Sequence, residues 1–211
     1  MFEYSLLHWT TFLTAAVLLS LSPGPDIAFI LGQTVRGGRR SGFAAMGGIW
    51  TGTLVHVTFA AVGLSAILAS SATAFTVVKW VGAAYLIYLG VSALRSKGGS
   101  FTADQPKEKT PDLQVLAQGI LVTLLNPKVA IFFLAFLPQF VVPGAGPTWA
   151  QLALHGVLVI AVAALIEPPL VLLGDKLTAG LRSSPNLGKW MDRLLGTIFI
   201  GFGIRLALQQ R

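Results

Sequence analysis

The chain has 211 residues, 54% of them hydrophobic and 11% charged, with no cysteine and a formal net charge of +7. Soluble domains carry about 25% charged residues, so the composition excludes an ordinary soluble fold, and the lack of cysteine excludes disulfides and thiol chemistry. The basic residues lie between apolar runs and share no face, which excludes a nucleic-acid surface.

A helix crossing a bilayer needs roughly 20 mostly apolar residues, and the chain has room for about six. The runs are too long and continuous for a transmembrane β-barrel, whose strands alternate over about 10 residues. The start, Met1-Phe2-Glu3-Tyr4, has no basic region, and no small-residue cleavage site follows the first apolar run. It reads as a retained first helix.

Span 1 is expected over residues 6–34, and it holds an anomaly. Ser22-Pro23-Gly24-Pro25-Asp26 puts two prolines, a glycine and a carboxylate near the middle of an apolar run. Arg36, Arg39 and Arg40 with Gly37 and Gly38 then form a short basic loop. Span 2 covers residues 42–68, and its small residues Ala44, Gly48 and Gly52 recur every four positions. Such a face lets another helix approach closely and is suited to a homodimer seam. A short polar turn, residues 70–73, leads to span 3 over residues 75–94.

Residues 96–112 form a polar linker rich in glycine, proline and mixed charge, at the midpoint of the chain. Span 4, residues 113–136, carries a second break at Asn126-Pro127-Lys128. An uncharged loop over residues 138–147 precedes span 5, residues 149–173, which Glu167-Pro168-Pro169 is expected to interrupt. A polar, basic stretch over residues 175–189 leads to span 6, residues 190–208. Trp9, Trp80, Trp149 and Trp190 sit near span ends, as interface anchors do.

The loops after spans 1, 3 and 5 hold Arg36, Arg39, Arg40, Arg95, Lys97, Lys107, Lys109, Lys176, Arg182, Lys189 and Arg193. The other side holds Lys79, Arg205 and Arg211. The positive-inside rule makes the first set cytoplasmic and puts both termini outside a cytoplasmic (inner) membrane.

The two halves resemble each other. Pro25-Asp26-Ile27-Ala28-Phe29 aligns with Pro127-Lys128-Val129-Ala130-Ile131, and Val81-Gly82-Ala83-Ala84-Tyr85 with Leu195-Gly196-Thr197-Ile198-Phe199. Each half has three spans, so the second must be inverted in the membrane. The expected fold is an all-α integral membrane protein of six helices. Residues 1–95 and 113–211 form two inverted three-helix repeats, with helices 1 and 4 broken. Inverted repeats with matching breaks mark secondary transporters, whose site lies between the repeats.

The breaks carry chemistry because proline lacks an N–H. Pro23 and Pro25 leave the carbonyls of Leu19 and Leu21 without helical donors, and Pro127 leaves that of Thr123. In hydrocarbon such groups cost several kcal/mol each unless protein or water satisfies them. Helices restarting at Pro25 and Pro127 point a positive dipole end into the membrane, where a carboxylate can sit. Asp26 and Lys128 occupy matching positions and together suit an ammonium and a carboxylate, as in an α-amino acid. They could instead pair with each other. Asn126 can cap the second half-helix. Glu167 and His56 are further candidates for proton coupling, and His155 is a packing histidine or a relay. The three histidines have no metal-ligand spacing, so neither metal nor cofactor is expected.

Ser22-Pro23-Gly24-Pro25, Tyr85-Leu86-Ile87-Tyr88-Leu89-Gly90 with Leu94-Arg95, Asn126-Pro127-Lys128, and the run from Phe132 to Phe140 resemble the lysine exporter (LysE) superfamily, in its RhtB branch of homoserine and threonine exporters. The resemblance covers essentially the whole chain. It implies export of amino acids or close derivatives in exchange for protons, with substrate contacts at Pro23, Gly24, Pro25, Asp26, Asn126, Pro127 and Lys128. It does not fix the side chain exported, and Glu167-Pro168-Pro169 lies outside it. The alternatives are a passive channel and an intramembrane enzyme. No nucleophile–base pair supports an enzyme.

Overall fold

The computed structural model describes residues 4–22, 24–64, 72–95, 110–174 and 176, with isolated positions of the C-terminal stretch. Pro23, most of the linker and most of span 6 lie outside the described residues. The six-helix count and the inverted relation of the halves therefore remain expectations.

Helix α1 spans Leu6–Leu21 and opens on Ser5, whose hydroxyl accepts from the His8 backbone N–H at 3.1 Å. Helix α2 spans Pro25–Phe59 and continues through a π-helical turn at Ala60–Leu64. Its backbone leaves the helix at one residue, Gly38, with φ 77° and ψ −174°. A Cβ on Gly42 would fall on the Thr34 side chain. In a straight helix residues eight apart are about 12 Å apart, so the chain folds back on itself at Gly38. The expected basic loop is thus a turn of one glycine, which alone takes this left-handed conformation at no steric cost. The return arm up to Gly63 is about 37 Å long, enough to cross a hydrocarbon core.

Helix α3 spans Ala72–Arg95 and α4 spans Asp112–Leu124. After a break at Leu125 and Asn126, helix α5 runs over Pro127–Ile131. It continues as a π-helical turn at Phe132–Phe136 and a 3-10 turn at Leu137–Phe140. The two parts of this span meet at 50°. Helix α6 spans Thr148–Leu172. It corrects one expectation, because Glu167-Pro168-Pro169 does not interrupt the span. Proline's fixed φ is close to the helical value, and the next turn is intact, with the Leu173 N–H donating to the Pro169 carbonyl at 2.9 Å.

Among the described residues, α2 with its π-helical turn (Pro25–Gly63) and α6 are each long and apolar enough to cross a membrane, and α4 with the bent segment after it is a broken span or a re-entrant loop. Large apolar side chains face outward, Leu6, Leu113 and Leu165 each about four-fifths exposed (80%, 80% and 79%). In water such a surface would aggregate. Against hydrocarbon it is solvated. Trp80, Trp149 and Trp190 are also exposed, as interface anchors should be. Trp9 instead packs on the core, stacked on the His155 ring.

The closest helix packing joins the return arm of α2 to α4. A Cβ added to Gly48 would lie 2.2 Å from the Leu116 carbonyl oxygen, and one on Gly119 would lie 2.7 Å from that of Ala45. Gly52 meets Thr123 in the same way. The small-residue face read as a homodimer seam is therefore consumed inside the chain, across the boundary between its halves. At one end of the bundle Arg40 pairs with Asp112, and Arg39 donates to the Leu172 carbonyl at 3.3 Å. At the other, the Tyr4 hydroxyl donates to Gln151 Oε1, and Gln151 holds the loop through the Val142 and Gly146 backbone. The turn after span 1, the start of span 4 and the end of span 5 thus meet at one end of the bundle.

Gly48→Ala should lower stability by about 2 kcal/mol or more, since overpacking here meets backbone and no side chain can yield. Gly32→Ala, where a Cβ meets nothing within 4 Å, should be neutral or stabilising. Thermal unfolding in detergent distinguishes the two. Equal melting temperatures would remove the glycine contact as a structural determinant.

Candidate functional site

The two breaks meet. Asn126 lies in the gap between α4 and α5, and its Oδ1 accepts from the Lys128 backbone N–H at 3.0 Å, capping the restarted helix. Its Nδ2 crosses to the other break and donates to Asp26 Oδ2 at 2.9 Å. Thr123 adds a longer bond to Asp26 Oδ1, at 3.4 Å. Asp26 sits in the first turn of α2, where a carboxylate is favoured by the dipole. One dipole end is thus matched by Asp26 and the other is capped by Asn126.

Lys128 makes a second link in the same direction. Its Nζ donates to the Ser22 carbonyl at 3.1 Å and reaches the Leu19 carbonyl at 3.5 Å. Leu19 is one of the carbonyls that the prolines deprive of a helical donor. Thr123 is another, and its carbonyl accepts from Asn126 N at 3.0 Å and from His56 Nε2 at 3.2 Å. A carbonyl can only accept, so the proton of the His56 ring lies on Nε2. The ring stacks on Phe133, with centroids 5.9 Å apart. His56 thereby repairs the second break.

Asp26, Lys128 and Glu167 line one cavity of about 40 Å³, together with Trp50, Thr53 and Phe133. All three charged side chains are buried, at 8%, 9% and 5% exposure. No ion pair joins any two of them. Asp26 is held by Asn126 and Thr123, Lys128 by carbonyls, and Glu167 by the Trp50 indole N–H at 2.6 Å. A water needs roughly 10–15 Å³ of such space, so the cavity holds a few waters and is closed to a solute the size of an amino acid.

The sequence candidates divide accordingly. Asp26, Lys128 and Glu167 come together around the cavity. Asn126, Gly24 and His56 stand behind it. A Cβ on Gly24 would lie 3.1 Å from Lys128 Nζ, so the glycine leaves room for the ammonium. Pro25 and Pro127 are exposed and act only through the backbone they interrupt. Pro23 lies outside the described residues. Sequence reading missed Trp50 and Thr123. Trp50 carried a signal, since a tryptophan in mid-span, away from the interfaces, needs a partner for its N–H.

His155 does not line this cavity. Its Nδ1 meets the Gln151 carbonyl at 2.7 Å and its Nε2 meets His8 Nε2 at 2.8 Å. Trp9, Phe12 and Phe140 surround it. It pins α1 to α6 at the end of the bundle where Tyr4 sits.

The chain matches the model of the family described as LysE type translocator over residues 17–210. It is 32% identical over 199 residues to an uncharacterized membrane protein of Vibrio cholerae, covering 94% of this chain and 96% of that one. It is 32% identical over 201 residues to the homoserine/homoserine lactone efflux protein of Salmonella typhimurium, covering 94% and 95%. The protein of the same name from Salmonella typhi matches equally. No solved structure matches the chain.

Asn126→Ala removes the helix cap and the partner of a buried carboxylate, so it should cost about 2–4 kcal/mol in all. Asn126→Asp keeps the cap acceptor but sets a second carboxylate against Asp26, and should be no better. Melting temperatures in detergent check both. An Asn126→Asp protein as stable as wild type would contradict the geometry.

Proposed function

The chain belongs to the LysE type translocator family, and we propose that it exports small amino acids of the homoserine type, or close derivatives, across the cytoplasmic membrane in exchange for protons. Export of homoserine is the activity in the names of the two Salmonella relatives. The observation that carries the reading is the convergence of Asp26, Lys128 and Glu167 on one small cavity where the two breaks touch. An α-amino acid brings one ammonium and one carboxylate. Lys128 is the cation for the carboxylate, and Asp26 faces the ammonium.

Glu167 supplies the coupling. The site holds two carboxylates against one ammonium, and a proton on Glu167 balances them. Loading a zwitterion leaves that sum unchanged, so exchange on opposite strokes requires that the proton leave Glu167 as substrate enters the small cavity. Its hydrogen bond from Trp50 ties Glu167 to the arm of α2 that packs on α4. Opening the cavity to one side and then the other requires the contacts between the halves to rearrange, which is alternating access. A cavity too small to pass an amino acid without rearrangement favours such a carrier over a passive channel.

Counterflow in proteoliposomes tests this. Vesicles preloaded with unlabelled homoserine, threonine, leucine or lysine should take up labelled homoserine faster than empty ones. Asp26→Asn and Lys128→Ala should each lower exchange roughly 10–100-fold, the effect of losing one charge-assisted hydrogen bond. Glu167→Gln should retain exchange and lose uptake driven by a pH gradient. Uptake that ignores the preload would mean a channel, and no uptake across the panel would remove amino acids as substrates.

A further inference from the structure

We infer that the Lys128 ammonium is a tethered stand-in for the substrate's own ammonium, occupying in the empty carrier the carbonyls that the substrate takes over. The inference rests on the reading that this site receives an amino acid, and it assigns the order of ligand exchange within it.

Lys128 lines the same cavity as Asp26 and Glu167 but bonds to neither. Its Nζ sits on the Ser22 and Leu19 carbonyls at the end of α1. A helix C-terminus carries partial negative charge, and the Leu19 carbonyl has lost its helical donor to Pro23. With Asp26 beside them the two carbonyls form a cation site made of backbone and one carboxylate. An ammonium fits it, offering three N–H donors and accepting none. The site is filled from the opposite half of the chain, by a side chain 106 residues away from Ser22 in sequence. Gly24 leaves the position over the carbonyls uncovered, so a small solute can approach where a larger residue would block it.

An incoming amino acid changes this balance as neither of its halves does alone. Its carboxylate pairs with Nζ and draws Lys128 off the carbonyls. Its ammonium then occupies the vacated acceptors, and no buried group is left unsatisfied. A simple amine would only replace one ammonium by another and strand the displaced lysine. A simple carboxylate would move the lysine and strand the carbonyls. Leaving a buried group unpaired costs the full desolvation penalty, larger for charged groups. The arrangement therefore selects zwitterions. It also links binding to movement, because the bond that is broken joins the break in the first half to the helix restart in the second.

The test compares three ligands on the purified protein in detergent, read by isothermal titration and thermal shift. Homoserine is the zwitterion, 3-amino-1-propanol is the same molecule without its carboxylate, and 4-hydroxybutyrate is the same molecule without its amine. Wild type should respond to homoserine alone. In Lys128→Ala the carbonyls are open, so 3-amino-1-propanol should bind roughly tenfold or more tightly than it does to wild type, the order expected for one charge-assisted contact. It should also raise the melting temperature of the variant, while homoserine loses affinity. Lys128→Met, which keeps the stem volume, serves if Lys128→Ala does not fold. A folded variant that ignores 3-amino-1-propanol, while wild type still binds homoserine, would overturn the stand-in role. Wild type that binds no amino acid would instead overturn the transport reading, and the amine's effect on the variant would still decide whether the carbonyls form a cation site.

Discussion

Everything in this molecule depends on where the hydrogen-bonding groups released by its broken helices go. A helix satisfies its own backbone, which is why it can stand in hydrocarbon. Proline withdraws that guarantee at chosen places. Here the first break is met by residues of the second, and the second by His56. Lys128, from the restart after α4, reaches the Ser22 and Leu19 carbonyls at the end of α1. Asn126 reaches back to Asp26 at the start of α2, and His56 closes the carbonyl of Thr123. Asn126 and Asp26 satisfy each other's side chains, and the first break takes its remaining donor from Lys128.

Such bridging works only if the backbones can come close and stay in register. Glycines provide this. Gly48 and Gly119 let the return arm of α2 lie on α4, each helix setting a carbonyl oxygen against the other's glycine. Gly38 folds α2 back so that its two arms serve different purposes, one carrying Asp26 at its start and the other carrying Gly48, Trp50 and His56. With the scaffold fixed in this way, charged side chains can be held in the interior without pairing among themselves. Their hydrogen-bonding capacity is spent on neutral partners, and their charge is left facing the cavity.

Much of the site was legible in the sequence because proline and buried charge are conspicuous in an apolar run. Asp26, Lys128, Asn126 and Glu167 stand out by type, and the matching positions of the breaks point to their meeting. The partners were not legible. Which carbonyl Lys128 takes, and that Asp26 turns to Asn126 and not to Lys128, depends on angles between helices that no residue type encodes. Trp50 was hidden among interfacial tryptophans, though its mid-span position set it apart. Pro168 and Pro169 misled because proline announces a missing donor, whereas the surrounding packing decides whether the helix bends away. Ala44, Gly48 and Gly52 signalled close approach correctly. Periodicity cannot say whether the approaching helix belongs to the same chain, and here it does.

The dependence of the first break on the second has a consequence for biogenesis. Asp26 and Asn126 are 100 residues apart in the chain. At a synthesis rate of about 5–20 residues per second, the first break emerges roughly 5–20 s before the residues that complete it. For that interval a carboxylate and released carbonyls have no protein partner, and only water or the insertion machinery can hold them. The first half of this protein is therefore made in a form the bilayer core disfavours, and its stable burial must wait for the second half to arrive.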